Sequence, residues 1–285
     1  MLYFPLYVPF THILILTDNF TLCKKNRVCA DLYSKLQIKY RRFLMIKVKK
    51  ELHKYKHIWP VLYVFIYMPW FIMLEKNIPA DYPGLHILHC PLDDMIPFCE
   101  WFVIPYLLWF LYVPAVFVFL FYHSKNEFYR ICAYEFTGMT IALLVCTLYP
   151  NGLELRLDNV SRSNILIDLV HFLYDKDTPT NVCPSIHVFA TIAAHICLVK
   201  SPHMKELIPR QTIKRLSLIL SILICLSTMF LKQHSVIDVI CGILLATVLY
   251  FVVFKWWFRN VDFPAPVVKD PHQHQVLYFL NKESK

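Results

Sequence analysis

Apolar residues in this chain fall in long blocks, without the 3.6- or 2-residue period of an element half-buried in a soluble core. Six blocks stand out: Ile58–Leu74, Trp101–Tyr122, Ile131–Tyr149, Ser185–Val199, Leu216–Leu231 and Ser235–Phe258. A helix needs about 20 residues, range about 17–25, to cross the hydrocarbon of a bilayer. The pattern therefore predicts an all-α, polytopic membrane protein: a six-helix bundle over residues 58–258, preceded by a basic segment (1–57) and followed by a polar tail (259–285). The fourth and fifth blocks are short, so their ends are expected below the membrane surface or behind neighbouring helices. Pro105 and Pro114 interrupt the second, which is tolerated where adjacent helices take up the freed carbonyls. Residues 1–20 are also apolar, but Pro5 and Pro9 disfavour a spanning helix there. The lack of a basic n-region and a small-residue cleavage site argues against a signal peptide.

Composition agrees with lipid as the main solvent. The chain is 57% hydrophobic and 17% charged, against about 25% charged in an average soluble domain. Its formal charge of +9 is unevenly placed: between Lys24 and His57 stand twelve basic residues and two acids. Such a run can bind nucleic acid or anionic lipid. Beside a hydrophobic span it reads as a cytoplasmic anchor, so membrane lipids and not nucleic acid are the expected partners. The 123–130 and 200–215 loops are basic as well. By contrast, 77–100 carries Asp81, Asp93, Asp94 and Glu100 with no Lys or Arg, and 150–184 holds five acids against three bases. This alternation places both termini in the cytoplasm and the acidic loops outside. Of the ten cysteines, Cys132, Cys146, Cys197, Cys225 and Cys241 lie inside apolar blocks, where they act as small hydrophobes. A Cys90–Cys99 bridge is open on spacing alone. No CxxC pair of the zinc type occurs.

Candidate chemistry sits at the outer mouths of two spans. Cys183-Pro184-Ser185-Ile186-His187 enters the fourth, and Lys232-Gln233-His234-Ser235-Val236-Ile237-Asp238 enters the sixth. Two helix N-termini on one side of the membrane would offer free N–H groups to an anion such as phosphate. His234 and Asp238 stand four apart, on one helix face. The carboxylate there fixes the imidazole tautomer and leaves the other nitrogen free as nucleophile or base. His187 brings a second imidazole suited to acid catalysis. Lys232 adds a fixed charge, and Ser185 a hydroxyl. Glu135, placed near the inner end of the third span, is expected to pair within the bundle or snorkel. Asp175, Asp177 and Asn181 read as turn residues beside Pro179.

These residues resemble the second and third signature motifs of the type 2 phosphatidic acid phosphatase (PAP2) superfamily: Pro-Ser-Gly-His, then Ser-Arg, five residues, His, three residues, Asp. The resemblance covers roughly residues 58–258. It implies a six-helix membrane fold in which His234 attacks phosphorus to form a phosphohistidine. Asp238 orients His234, and His187 protonates the leaving group and later activates water. Ile186 replaces the family glycine, as in a branch resembling inositol-phosphorylceramide-synthase-like transferases. Ser227 keeps its place, but Thr228 stands where the family has Arg, and Lys232 is the nearby charge. In the first motif, Lys, six residues, Arg-Pro, Tyr149 takes the Lys position, Leu157 the Pro position, and Arg156 remains as a candidate phosphate ligand; otherwise Arg156 is a solvated loop charge.

The resemblance implies an enzyme without metal or other cofactor, acting on a lipid phosphate or pyrophosphate at the extracytoplasmic face of the cell membrane. Hydrolysis and headgroup transfer to an acceptor alcohol both remain open. A transporter or scaffold would call for internal repeats with matching broken helices, and the sequence shows neither.

Overall fold

The computed structural model describes residues 38–46, 55–157, 160, 162–205 and 209–261. The apolar residues 1–20, most of the basic N-terminal run and the polar tail lie outside these residues. Contacts divide the chain into Met1–His57 and Ile58–Lys285. In the first unit, residues 38–46 are helical.

The described residues of the second unit are mostly helical. A 3-10 segment (Lys56–Tyr63) runs into α1 (Val64–Asn77); α2 (Pro91–Met95) is a single turn, and a 3-10 turn at Glu100–Phe102 leads into α3 (Val103–His123). Then come α4 (Lys125–Leu148), α5 (Ile165–Lys176), α6 (Ile186–Lys200), α7 (Arg210–Phe230) and α8 (Val236–Tyr250), which continues as a π-helical turn over Phe251–Trp257. Among the described residues, five helices are long and apolar enough to cross a membrane: Lys56–Asn77, Glu100–His123, Lys125–Leu148, Arg210–Phe230 and Val236–Trp257. The apolar helix α6 has 15 residues. Their outward faces are greasy: Phe65 is 73% exposed and Leu216 59%, as expected of side chains that meet lipid.

The length of α6 has a packing reason. It is the central helix, lying against α3, α4, α7 and α8, and Phe189, Ala190, Ala193, Ala194 and Cys197 are buried in those contacts. A helix shielded on all sides by protein does not need to span the hydrocarbon itself.

Three expectations need correction. Helix α4 begins at Lys125, six residues before its apolar block, because Ser124 caps it by accepting a bond from the Glu127 N–H. The polar first turn hides this start from hydropathy. Buried Glu127 is held there by the Ser201 hydroxyl at 2.8 Å. Glu135 consequently lies ten residues into a 24-residue helix, near its middle and not near its start. Similarly, α7 starts at Arg210, which makes it 21 residues long and not short.

Loop 150–184 also holds structure that turn chemistry did not suggest. Asn164 caps α5 with its side-chain oxygen on the Leu166 and Ile167 N–H groups. A two-residue parallel ladder pairs β1 (His86–Ile87) with β2 (Asn151–Gly152), in register His86 to Asn151, a small exception to the all-α reading. Cys90 and Cys99 are free thiols, so the bridge left open by spacing is not formed.

Candidate active site

The turns that enter α6 and α8 meet. The Ser185 N–H donates to the Asp238 carbonyl at 3.1 Å, tying the two helix starts together. Gly242 makes this approach possible: a Cβ there would lie 2.9 Å from the Ser185 carbonyl oxygen and 3.2 Å from Val188. His187 and His234 are thereby brought together with their rings edge-on, His234 Nε2 lying 3.4 Å from His187 Nδ1.

The other nitrogen of His234, Nδ1, lies 3.3 Å from Asp238 Oδ2. The same oxygen accepts the Ser235 N–H at 2.9 Å, so Asp238 is anchored to the backbone before it touches the ring. This is a side-chain–backbone capping box, Ser235 with Asp238 at the third helical position. One motif thus starts the helix and sets the imidazole. His187 is fixed differently. Its ring packs against Tyr106 at 4.8 Å and Trp109 at 4.6 Å between centroids, two residues three apart on α3 that present one face. The sequence showed both aromatics only as members of an apolar block.

Asp93, on α2, braces the two residues that follow His234. Its Oδ2 accepts from the Ser235 hydroxyl at 2.7 Å and the Cys90 N–H at 2.8 Å, and its Oδ1 from the Val236 N–H at 2.8 Å. Burial pushes the carboxyl up, but these hydrogen bonds outweigh it and hold Asp93 below the ordinary carboxylate range. Lys232 adopts a left-handed backbone, φ 55°, uncommon for a side chain with a Cβ. Its ammonium donates to the Asp93 and Ile96 carbonyls at 2.6 Å each. The charge that spacing placed beside the phosphate is therefore engaged on the 90–96 loop. The first amides of α8 are engaged as well, at Ser235, Val236 and Ile237. The expected pair of open helix N-termini reduces to that of α6, where the Ser185 hydroxyl accepts from the Val188 N–H at 3.4 Å. Asp93→Ala removes two bonds to a charged acceptor from the residues that follow His234, Ser235 and Val236. It is expected to lower kcat by up to about 100-fold with a smaller change in KM, checked by steady-state kinetics; an unchanged kcat would contradict the bracing role.

Arg156 reaches the same region through the loop. Its guanidinium donates to the carbonyls of Tyr174 (3.0 Å), Asp177 (2.6 Å) and Thr178 (3.0 Å) and to Gln233 Oε1 (2.6 Å). It also lies over the Tyr174 ring at 4.8 Å. It is not a solvated loop charge. Two buried donors remain without a protein partner, Arg156 Nε and Gln233 Nε2. Gln233 neighbours His234 in sequence, so donors left over at this point suit an anion's oxygens. Asn151, fully buried, fixes the other approach. Its Oδ1 accepts the Val182 and Cys183 N–H groups at 3.0 and 2.8 Å, holding the segment that carries Ser185 and His187. Gln233, Asn151 and Asp93 were missed because their partners are distant in sequence.

Asp177 is the C-cap residue of α5, and its carboxyl also approaches this site. The Tyr106 hydroxyl lies 3.5 Å from its carboxyl. Burial raises its pKa above the ordinary 3.8, which His234, Arg156 and Tyr106 only partly offset. A carboxyl whose folded pKa is raised favours folding in its protonated form. That contribution is present below about pH 4 and is lost as pH rises through the folded value. Thermal stability of the wild type relative to Asp177→Asn is therefore expected to fall as pH is raised from about 4. A difference that stays constant or widens in favour of the wild type would contradict the assignment. Among the described residues, no three His, Cys, Asp or Glu side chains are grouped to hold a metal ion.

Residues 162–262 match the family model described as the PAP2 superfamily, whose members are generally phosphatases or phosphotransferases. The matched segment contains His187, His234 and Asp238 and leaves out Arg156. No curated protein matches the chain.

Proposed function

We propose that this protein is a membrane lipid phosphatase with six spans, α6 counted among them, that hydrolyses a lipid phosphate or pyrophosphate through a phosphohistidine. The observation that carries this reading is the Asp238–His234–His187 line, with contacts of 3.3 and 3.4 Å. Asp238 holds the Nδ1 proton of His234 and leaves Nε2 with its lone pair on the side facing His187. Nε2 attacks phosphorus, and the bond to the leaving oxygen breaks. His187, on that same side, gives this oxygen a proton and so becomes the base for the water that cleaves the N–P bond, releasing phosphate. Arg156 and Gln233 take the non-bridging oxygens, and Ser185 supports the N-terminus of α6 beside them. In this reading Lys232 acts through the 90–96 loop as a brace for His234. Positioning and charge neutralisation suffice for phosphoryl transfer, and the mechanism assigns no step to a metal.

The alternation of loop charge supports a site on the extracytoplasmic face of the cell membrane, with both termini inside. Transfer of the phosphoryl headgroup to an alcohol, as in the inositol-phosphorylceramide-synthase-like branch, would use the same intermediate. The test is phosphate release by purified protein in detergent from phosphatidic acid, phosphatidylglycerol phosphate and a polyprenyl pyrophosphate, with and without EDTA. Release from at least one that persists in EDTA is expected. Release abolished by EDTA and restored by a metal would overturn the metal-free step. No release without an acceptor alcohol, and headgroup transfer with one, would establish the transferase.

A further inference from the structure

A second feature borders the histidine pair from within the membrane. A cavity of about 530 Å³ lies between α1, α3, α4 and α6, walled by Tyr67, Trp109, Phe117, Glu135, Met139 and Ile186 among others. On α3 its wall runs from Trp109 to Tyr122, about 20 Å of helix. At one end it borders the proposed site, since its wall residue Trp109 packs on the His187 ring and Ile186 precedes His187. Its lining is mainly apolar, and beside the tyrosines Tyr63, Tyr67 and Tyr122 it carries two buried polar groups that the protein does not satisfy. Trp109 Nε1 has no partner, and neither does Oε1 of Glu135, a residue only 1% exposed.

A carboxyl at mid-membrane is costly and marks a functional position by default. Its depth can be placed. Gly138 lies against Phe189, where a Cβ would fall 2.0 Å from the ring. Phe189 is two residues inward of His187, and Glu135 three residues inward of Gly138, because α4 and α6 run in opposite directions. Glu135 therefore sits about 8 Å deeper than His187. This is the level of the linkage between headgroup and chain when a phosphate is held at the histidines.

We propose that this cavity receives one chain of the substrate, and that Glu135 hydrogen-bonds the polar linkage (ester, amide or hydroxyl) of that chain. The inference rests on the lipid-phosphate reading above and narrows it. The substrate belongs to lipid phosphates whose chain is joined through such a linkage, as in an acyl-glycerol phosphate, and not to plain alkyl or polyprenyl phosphates. A carboxyl suits the linkage in either protonation state: it accepts from a hydroxyl or amide N–H, or donates to an ester carbonyl. A hydrocarbon chain would leave Glu135 buried and unsatisfied, which costs binding. Bulk lipid would fill the apolar walls equally well but gives no reason for the carboxyl.

The test compares phosphate release by the purified full-length protein from 1-oleoyl-glycerol 3-phosphate and from hexadecyl phosphate. The wild type is expected to prefer the acyl-glycerol phosphate in kcat/KM. The preference should fall about tenfold in Glu135→Leu and be largely kept in Glu135→Gln, which still hydrogen-bonds. An equal preference in all three proteins would overturn the inference. Release from neither lipid by the wild type would instead count against the phosphatase reading, and the chain site is then decided on its own. His234→Ala protein is mixed with an acyl-glycerol phosphate bearing a diazirine in its chain and irradiated. Label on Phe117 or Met139 supports the cavity. Label confined to the lipid-facing Leu216, Ile219 and Leu223 of α7 overturns it.

Discussion

His234→Ala is expected to lower phosphate release by at least about 10⁴-fold while leaving the thermal transition of the protein within a few degrees of the wild type. The size follows from what is removed. A nucleophile that forms the covalent intermediate has no substitute, and residual turnover comes only from binding and charge stabilisation. Folding should survive because the capping box at the start of α8 is made by Ser235 and Asp238, and the backbone bond from the Ser235 N–H to Asp238 remains. The measurement is specific activity beside a melting curve. Activity within tenfold of wild type in a folded variant would remove His234 from the chemistry.

His187→Ala should show a different signature, one that depends on the leaving group. A general acid contributes about 10²–10⁴-fold where the departing oxygen needs a proton. A lipid alkoxide needs one; p-nitrophenolate hardly does. The variant is expected to lose about 10³-fold on a lipid phosphate in the cleavage step. On p-nitrophenyl phosphate that step should be nearly unaffected, with a burst of p-nitrophenol followed by slow turnover because the water step still lacks its base. Equal losses on both substrates, with no burst, would instead assign His187 to holding its neighbours. The distinction matters because Tyr106 and Trp109 clamp the ring, and a purely structural role would predict a uniform loss.

The two histidines and the aspartate were legible because a helix start, a four-residue spacing and a position at a span mouth are local properties. The blocks of hydrophobicity marked six helices for the same reason. What the sequence could not show is how distant segments converge. Arg156 offered itself only as the remaining arginine of an incomplete motif, seven residues past the end of an apolar block. Its place beside His234 depends on Gln233, to which it donates at 2.6 Å across 77 residues. Asp93 lay in an acidic loop that signalled only topology, yet it binds Ser235 from 142 residues away. Lys232 misled in the opposite sense: two residues from the nucleophile, its long side chain turns to the carbonyls of the 90–96 loop. Polar first turns were equally invisible to hydropathy, which is why α4 and α7 begin earlier than their apolar blocks and why Glu135 is deep in the bundle. An acid counted as near a surface on block boundaries becomes a buried group facing a cavity once the cap at Ser124 is seen.

The covalent intermediate is the centre of this account, and it can be observed directly. Wild-type protein is mixed with a lipid phosphate radiolabelled at phosphorus, quenched within milliseconds into alkali, digested, and the labelled peptide identified. The account predicts a label that is stable in alkali, lost in acid, and located on His234. Steady turnover with no protein-bound label, together with inversion at phosphorus in a chiral phosphate, would mean that water attacks the substrate directly, and the role given to His234 would be wrong.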